Sequence, residues 1–406
     1  MKNRTATWKK RSKAAAAGLV LALLSALLVF TGCGPLPDPA GNMDSGGAIP
    51  RQDDTSADPR HYAAFVAATD YSISGGFGVI DLDDYHTYSP DPAWAAEVIS
   101  PDPVAKSYGD YVFVLNRYTY DSISVLRKKD FSLKKQYSVA DGSCDPSNPH
   151  DLEFVSESKA YLSRYECRDL WIINPVTGEK LGSIDLGAYG GKDGIPEMSG
   201  MELVGSTLYV AVQMLERESG WTAPDHSMMV VIDTTTDSVV ADIELTGSNP
   251  VTDVLYSDSL SSLVVGSASS PGSYNDPNGG IEAVDPVTNT SAGFLISESA
   301  LAGNVADFEV LNSTRAYATI DSADFRSKLV AFNPQTGVRE QGSVYQAEKG
   351  YALWDIALSN RGQLLVCDRS AKDPGVVIID TTAADKVLGV SPIDLGLPPF
   401  SIALLK

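Results

Sequence analysis

Seven diverged copies of one strand–turn–strand unit, recurring at the length of a four-stranded blade, predict an all-β chain. A final apolar strand without a partner in its own copy adds the closure: a seven-bladed β-propeller of four-stranded antiparallel blades, its C-terminal strand joining the first blade. The length of 406 residues fits such a ring, since repeats absorb a chain too long for one ordinary core.

The unit is clearest from Met229, "MVVIDTTTDSVVADIEL", where two apolar runs flank an Asp/Thr turn. It returns as "LWIINPVTGEKLGSIDL" from Leu170, "IEAVDPVTNTSAGFLIS" from Ile281 and "LVAFNPQTGVREQGSVY" from Leu329. Weaker copies start at Ile123, Val376 and Gly78. The residue after the first run is Asp81, Arg127, Asn174, Asp233, Asp285, Asn333 and Asp380, at intervals of 46, 47, 59, 52, 48 and 47. Asp or Asn there accepts a backbone bond from two residues on, Pro175, Pro286 and Pro334 preset the next φ, and Gly178, Asn289 and Gly337 tolerate positive φ. A second apolar pair precedes each hairpin, as in "GMELVGSTLYVAVQ" from Gly200, which makes four strands per unit. The first unit opens on a second strand, "YAAFVAATD" from Tyr62, and the chain finishes on a first strand, "PPFSIALLK" from Pro398. Pairing these two removes the open seam.

On these residues, "STLYVAVQ" followed by "MVVIDTTTDSVVADIELTGSNP", the chain resembles the YVTN-type (YncE-like) repeat of bacterial surface and periplasmic propellers. The resemblance spans about residues 62 to 406 and is strongest around Asp233. It implies a fold and leaves function to the site.

The first 13 residues hold six basic side chains, and no acid precedes residue 38. The apolar run at residues 14 to 30 then describes an export signal. "FTGC" at residues 30 to 33 resembles the lipobox of bacterial lipoproteins, departing from it at Phe30 and implying that Cys33 takes the lipid. Residues 1–32 are therefore expected to be a lipoprotein signal peptide, 33–60 a lipidated cysteine with a flexible tether, and 61–406 the propeller. The tether follows from its Pro, Gly, Ser and Asp content, which cannot bury enough surface to order itself. Gly34 lacks the retention-like Asp, so an outer-membrane lipid anchor is favoured, with the body facing either the periplasm or the outside.

With 31 basic against 52 acidic residues the formal charge is −21, which repels phosphate backbones, so no nucleic-acid partner is expected. The expected partners are the membrane, through the lipid, and a protein, glycan or small-molecule ligand; the body is expected to be a monomer.

In a blade, the loops joining the second and third strands share one face with the loops between blades. Two of the former are long, residues 215 to 227 and 267 to 280, and loops on a rigid scaffold commonly carry recognition. Trp221, Asp225, His226, Tyr274, Asp276 and Asn278 are the first binding candidates, pairing rigid aromatic area with adaptable hydrogen bonds. Arg117 and Arg164, where second strands reach that face, could meet an anionic group or neutralise carboxylates. Asp151, Asp253, Asp307 and Asp355 recur at the head of the inner strand beside the channel. As a ring they could hold Ca²⁺ or another divalent ion, although no cofactor is required; otherwise they accept hydrogen bonds between blades.

None of His61, His86, His150 and His226 forms a close metal pair, and no nucleophile elbow, P-loop or dinucleotide fingerprint stands in a suitable context. No catalytic residue is assigned. Cys144 and Cys167 fall in loops of one face, which favours a disulfide over free thiols and leaves Cys367 as a buried apolar side chain. Two functions stay open: a non-catalytic binding or scaffold module acting through the loop-rich face, or a lactonase-like hydrolase using a divalent metal held by channel carboxylates.

Overall fold

The computed structural model describes residues 63–405 apart from residues 73 and 275. Cys33, the leader, the tether and His61 lie outside them.

Seven antiparallel sheets form a ring, and each inner strand touches the inner strands of the blades on both sides. From the channel outward, blade 2 is built of Pro103–Tyr108, Tyr111–Asn116, Ser122–Arg127 and Leu133–Ser138. Blade 3 starts on Pro149–Ser156, blade 4 on Met198–Val204, blade 5 on Pro250–Ser257, blade 6 on Asn304–Asn312 and blade 7 on Leu353–Leu358. Blade 1 takes its inner strand, Pro399–Leu405, from the C-terminal end, with Ala63 opposite Leu405 and Val66 opposite Ile402. The predicted closure is present.

The middle strands are apolar on both faces because each blade is covered by a neighbour on either side. Tyr111–Asn116 ("YVFVLN") is buried at every position but its first, whereas the outer Leu133–Ser138 ("LKKQYS") is almost wholly exposed. Seven apolar cores result, one per blade interface. Phe65, Phe77 and Val79 of blade 1 meet Val112, Val114 and Leu126 of blade 2, and Ala64, Val66 and Ile80 meet Leu365, Val376 and Ile378 of blade 7. The same pattern runs round the ring.

Six of the seven predicted anchors end third strands, and Asn174 directly follows the third strand of blade 3, Asp169–Ile173. Asp81, Asn174, Asp233, Asp285, Asn333 and Asp380 each accept a bond from the amide two residues on, at 2.7–3.1 Å. In the diverged unit Asp130 does this for Ser132, in place of Arg127.

Two departures from the regular repeat appear. The first interblade link holds a helix, Pro92–Val98, started by Asp91, whose carboxylate accepts from Ala93 and Trp94, with a proline at its first turn. In blade 6 the expected outer strand divides: Val338–Arg339 and Tyr345–Lys349 both pair with the third strand, and the break carries Gly342 at φ 86°.

Candidate functional site

Turns between first and second strands, and between third and fourth, are tight, so one face of the ring is plain and the other carries the longer loops. Among the described residues, the exposed aromatic side chains, 36 to 53 % accessible, are Tyr71, Tyr118, Tyr120, Phe325 and Trp354. All five sit on the loop-rich face: four in loops between second and third strands of blades 1, 2 and 6, and Trp354 at the head of the inner strand of blade 7.

Ring closure gathers three of the aromatics. Tyr71 lies 5.7 Å from Trp354 and 5.6 Å from Phe400, and Trp354 lies 4.9 Å from Phe400, between ring centroids. Two guanidiniums floor the group. Arg117 stands 5.7 Å from Phe400 and bonds Asp102 Oδ1 through Nε (3.1 Å) and Nη2 (2.5 Å). Arg369 stands 5.1 Å from Phe400 and 5.5 Å from Trp354, and donates to the carbonyls of Thr69, Pro398 and Pro399, each at 3.1 Å. Farther round, Phe325 packs 4.8 Å from Tyr351, whose hydroxyl bonds that of Tyr274.

The aspartates at the inner-strand heads line the channel, and three of the four bond the next blade. Asp151 Oδ2 accepts from Met201 N (2.8 Å), Asp307 Oδ2 from Ile356 N (2.9 Å) and Asp355 Oδ2 from Ile402 N (2.6 Å). Ser401 Oγ performs the same task for Ala105 N at 3.2 Å. Blade 4 has Gly200 at this position, where a Cβ would come within 2.7 Å of Val254 N and 2.8 Å of Thr252 O. Its strand packs too closely on blade 5 for a carboxylate there.

Asp253 is bound differently. Lys106, from blade 2, reaches across the channel and places its Nζ 2.7 Å from Asp151 Oδ1 and 3.0 Å from Asp253 Oδ2. Burial disfavours its ammonium, but the two carboxylates more than offset this and hold its pKa well above the ordinary lysine value. Lys106 in turn holds Asp253 low, whereas burial, with repulsion from Asp355, pushes Asp307 well up. Among the described residues no group of three or more His, Cys, Asp or Glu is arranged to hold a metal ion. The channel aspartates offer oxygens already bonded to amides and an ammonium, a donor set that suits a cross-channel clamp better than a Ca²⁺ cage.

The long-loop candidates are tied in different directions. Trp221 lies on the Arg217 guanidinium, 4.6 Å from its ring centroid, and Arg217 is anchored inward to Glu166 and to buried Glu197 (2.7 Å). Asp225 and His226 are exposed, with His226 Nδ1 3.2 Å from Leu245 O. Tyr274 turns toward blade 7, Asp276 caps its own loop by accepting from Asn278 N (3.0 Å), and Asn278 O accepts from Ser248 N (2.9 Å). Substituting Arg217→Ala should loosen the 215 to 227 loop while costing about 1–3 kcal/mol through unpaired Glu197. Faster amide exchange confined to that loop is the expected reading; exchange unchanged there would show that Arg217 does not order it.

Of the two alternatives for Arg164, an anionic group or nearby carboxylates, its surroundings fit the second. It is wholly buried, with its guanidinium 3.8 Å from the Trp171 ring centroid, 2.5 Å from Asp169 Oδ1 and 3.3 Å from Asp141 Oδ1. Those carboxylates neutralise its charge through Nη1 and Nη2 within blade 3 and the adjoining loop, whereas its buried Nε has no hydrogen-bond partner among the described residues. Cys144 and Cys167 are joined in a disulfide with Cα atoms 5.5 Å apart, and Cys367 is a buried free thiol.

No family model matches the chain, and no curated protein sequence matches it. Solved structures do. A candidate 6-phosphogluconolactonase from Bacteroides fragilis superposes with a TM-score of 0.56 at 12% identity, covering 87% of this chain and 100% of that one. The dihydro-heme d1 dehydrogenase NirN, in complex with DHE, gives 0.53 at 14% identity, covering 87% and 77%. At such identities the likeness establishes the propeller fold alone.

Proposed function

We propose that the chain is a bacterial envelope lipoprotein, exported by its N-terminal signal and anchored through Cys33 at the outer membrane, whose YVTN-type propeller is a non-catalytic binding module. The observation that carries the binding role is the confinement of the exposed aromatic side chains to one end of the ring. Exposed aromatics grouped on a rigid scaffold supply large contact area at small conformational cost. The metal-dependent hydrolase is the weaker reading, because the channel carboxylates are engaged with Lys106 and neighbouring amides.

Photo-cross-linking tests the binding role. A benzophenone amino acid, which abstracts hydrogen from peptides and sugars alike, is placed at Tyr120 or, on the plain face, at Val287 in the full chain within its own envelope. An adduct at Tyr120 and none at Val287 is expected. Adducts of equal yield, or at Val287 alone, would reverse the assignment of faces.

A further inference from the structure

We propose that the aromatic arc running from blade 7 through blades 1 and 2, with Trp354, Tyr71, Tyr118 and Tyr120 as its exposed rings, binds neutral oligosaccharide. The proposal rests on the reading that the loop-rich face is the binding face, and it names the ligand class.

The charges around the rings select the class. Arg117 is neutralised by Asp102 and Arg369 spends its donors on backbone carbonyls, so neither guanidinium turns a free donor to an anion, and the chain's charge of −21 repels anionic polymers at longer range. A basic peptide fares no better at the centre of the arc. Arg369 lies beneath Trp354 and Phe400 with its donors turned to three backbone carbonyls, so its positive charge sits beside the rings that such a peptide would need. A neutral ligand meets neither obstacle.

Two further features favour sugar over a proline-rich peptide. Trp354 and Tyr71 are tilted and partly stacked around Phe400, so their outward faces form a stepped platform on which the C–H faces of pyranose rings can lie. The carboxylate of Asp102 beside it is an acceptor group, of which Arg117 takes up Oδ1. Sugar hydroxyls donate to acceptors, whereas prolines bring carbonyls and no N–H, placing acceptor against acceptor. Tyr118 and Tyr120 leave about half their surface in water (48 and 53 %) and stand in the blade 2 loop that directly follows Arg117.

The test is calorimetry with the full chain against neutral gluco-, manno- and N-acetylglucosamine oligomers, with uronic-acid oligomers, an oligolysine and a proline-rich peptide as competing classes. A neutral oligomer should bind, and Trp354→Ala and Tyr71→Ala should each weaken it by about tenfold, the loss of roughly one well-placed ring contact. Val287→Ala, on the plain face, should leave binding unchanged, and melting temperatures should show that each variant is folded. Preferential binding of uronic acid or either peptide, or neutral binding indifferent to both arc substitutions, would overturn the proposal. If no neutral oligomer binds while a cross-link still forms at Tyr120, the sugar assignment fails and the binding face stands. If both are negative, both readings fail.

Discussion

Replacing Lys106 with methionine is expected to destabilise the ring by about 3–5 kcal/mol, the usual cost of leaving one partner of a buried ion pair behind. Methionine retains much of the aliphatic stem, so the loss isolates the ammonium. The partner that sets the cost is Asp151, whose side chain is 2 % exposed and 2.7 Å from Nζ. Asp253 contributes less, since its carboxylate is 71 % exposed to the channel and water can replace the lost contact. Lys106 bonds blade 2 to blades 3 and 5, so the clamp spans the channel where the inner strands otherwise meet only their immediate neighbours. Urea denaturation of Lys106→Met, Asp151→Asn and the double variant gives the coupling directly. The double variant should recover a substantial part of the loss, because no uncompensated carboxylate remains. Additive losses would show that the ammonium and Asp151 do not stabilise each other.

The contrast between what was legible in sequence and what was not follows from range. The Asx turns at Asp233 or Asn333 are written within four residues, and middle strands such as "YVFVLN" declare themselves because both faces are covered. Closure was readable because "PPFSIALLK" has the pattern of an inner strand with no second strand following it. The helix at Pro92–Val98 also carries a local signal, Asp91 followed by proline and small helix formers, which the repeat pattern obscured. Lys106 had a subtler one. It follows Ala105 as Glu153 follows Leu152 and Glu202 follows Met201, so it is a basic residue where sibling blades carry acids. Its partner Asp253 is 147 positions away, and only the ring brings them together. The aromatic arc was hidden for the same reason: Tyr71, Trp354 and Phe400 come from the opposite ends of the chain and meet through the seam. Loop length pointed instead to Trp221 and Tyr274, which the fold ties down on separate sides. For Arg164, strand direction showed that it ends a strand on the loop-rich face, whereas its burial depends on Trp171, Asp141 and Asp169 folding over it.

Stability is expected to fall as pH rises from 6 to 8, the reverse of the behaviour of a protein held by surface carboxylate pairs. Burial, reinforced by Asp151 and Glu202, pushes Glu153 from the ordinary 4.5 up to about 8. Burial likewise pushes Glu202 up to about 7, against the pull of the Tyr256 amide, and raises Asp307 and Asp355 across the channel. A carboxyl whose folded pKa exceeds its unfolded one binds more protons in the native state, so its contribution is complete at low pH and is lost as pH climbs through the folded value. For Glu153 and Glu202 together the loss between pH 6 and 8 is at most on the order of 4 kcal/mol. His150 works in the opposite sense: burial, with repulsion from Arg117, holds it down at about 3 against an ordinary 6.5, so the unfolded chain takes up its proton first on acidification. That opposing slope is worth one proton below about pH 6.5, against at least two held by the channel acids, so it softens the trend without reversing it until the unfolded carboxylates themselves protonate, near about pH 4.5. Melting temperatures between pH 5 and 8.5 at fixed ionic strength should be highest at the acid end of that range and decline by several degrees toward its alkaline end. In the Glu153→Gln, Glu202→Gln double variant the decline should become distinctly shallower, because neutral amides replace two of the acids that must ionise, while Asp355, Glu197 and Glu298, each raised to about 7 by burial, keep the remainder. A decline of the same steepness in that variant would place its origin outside Glu153 and Glu202, and a rise through pH 8 would mean that the channel acids are already ionised at neutrality.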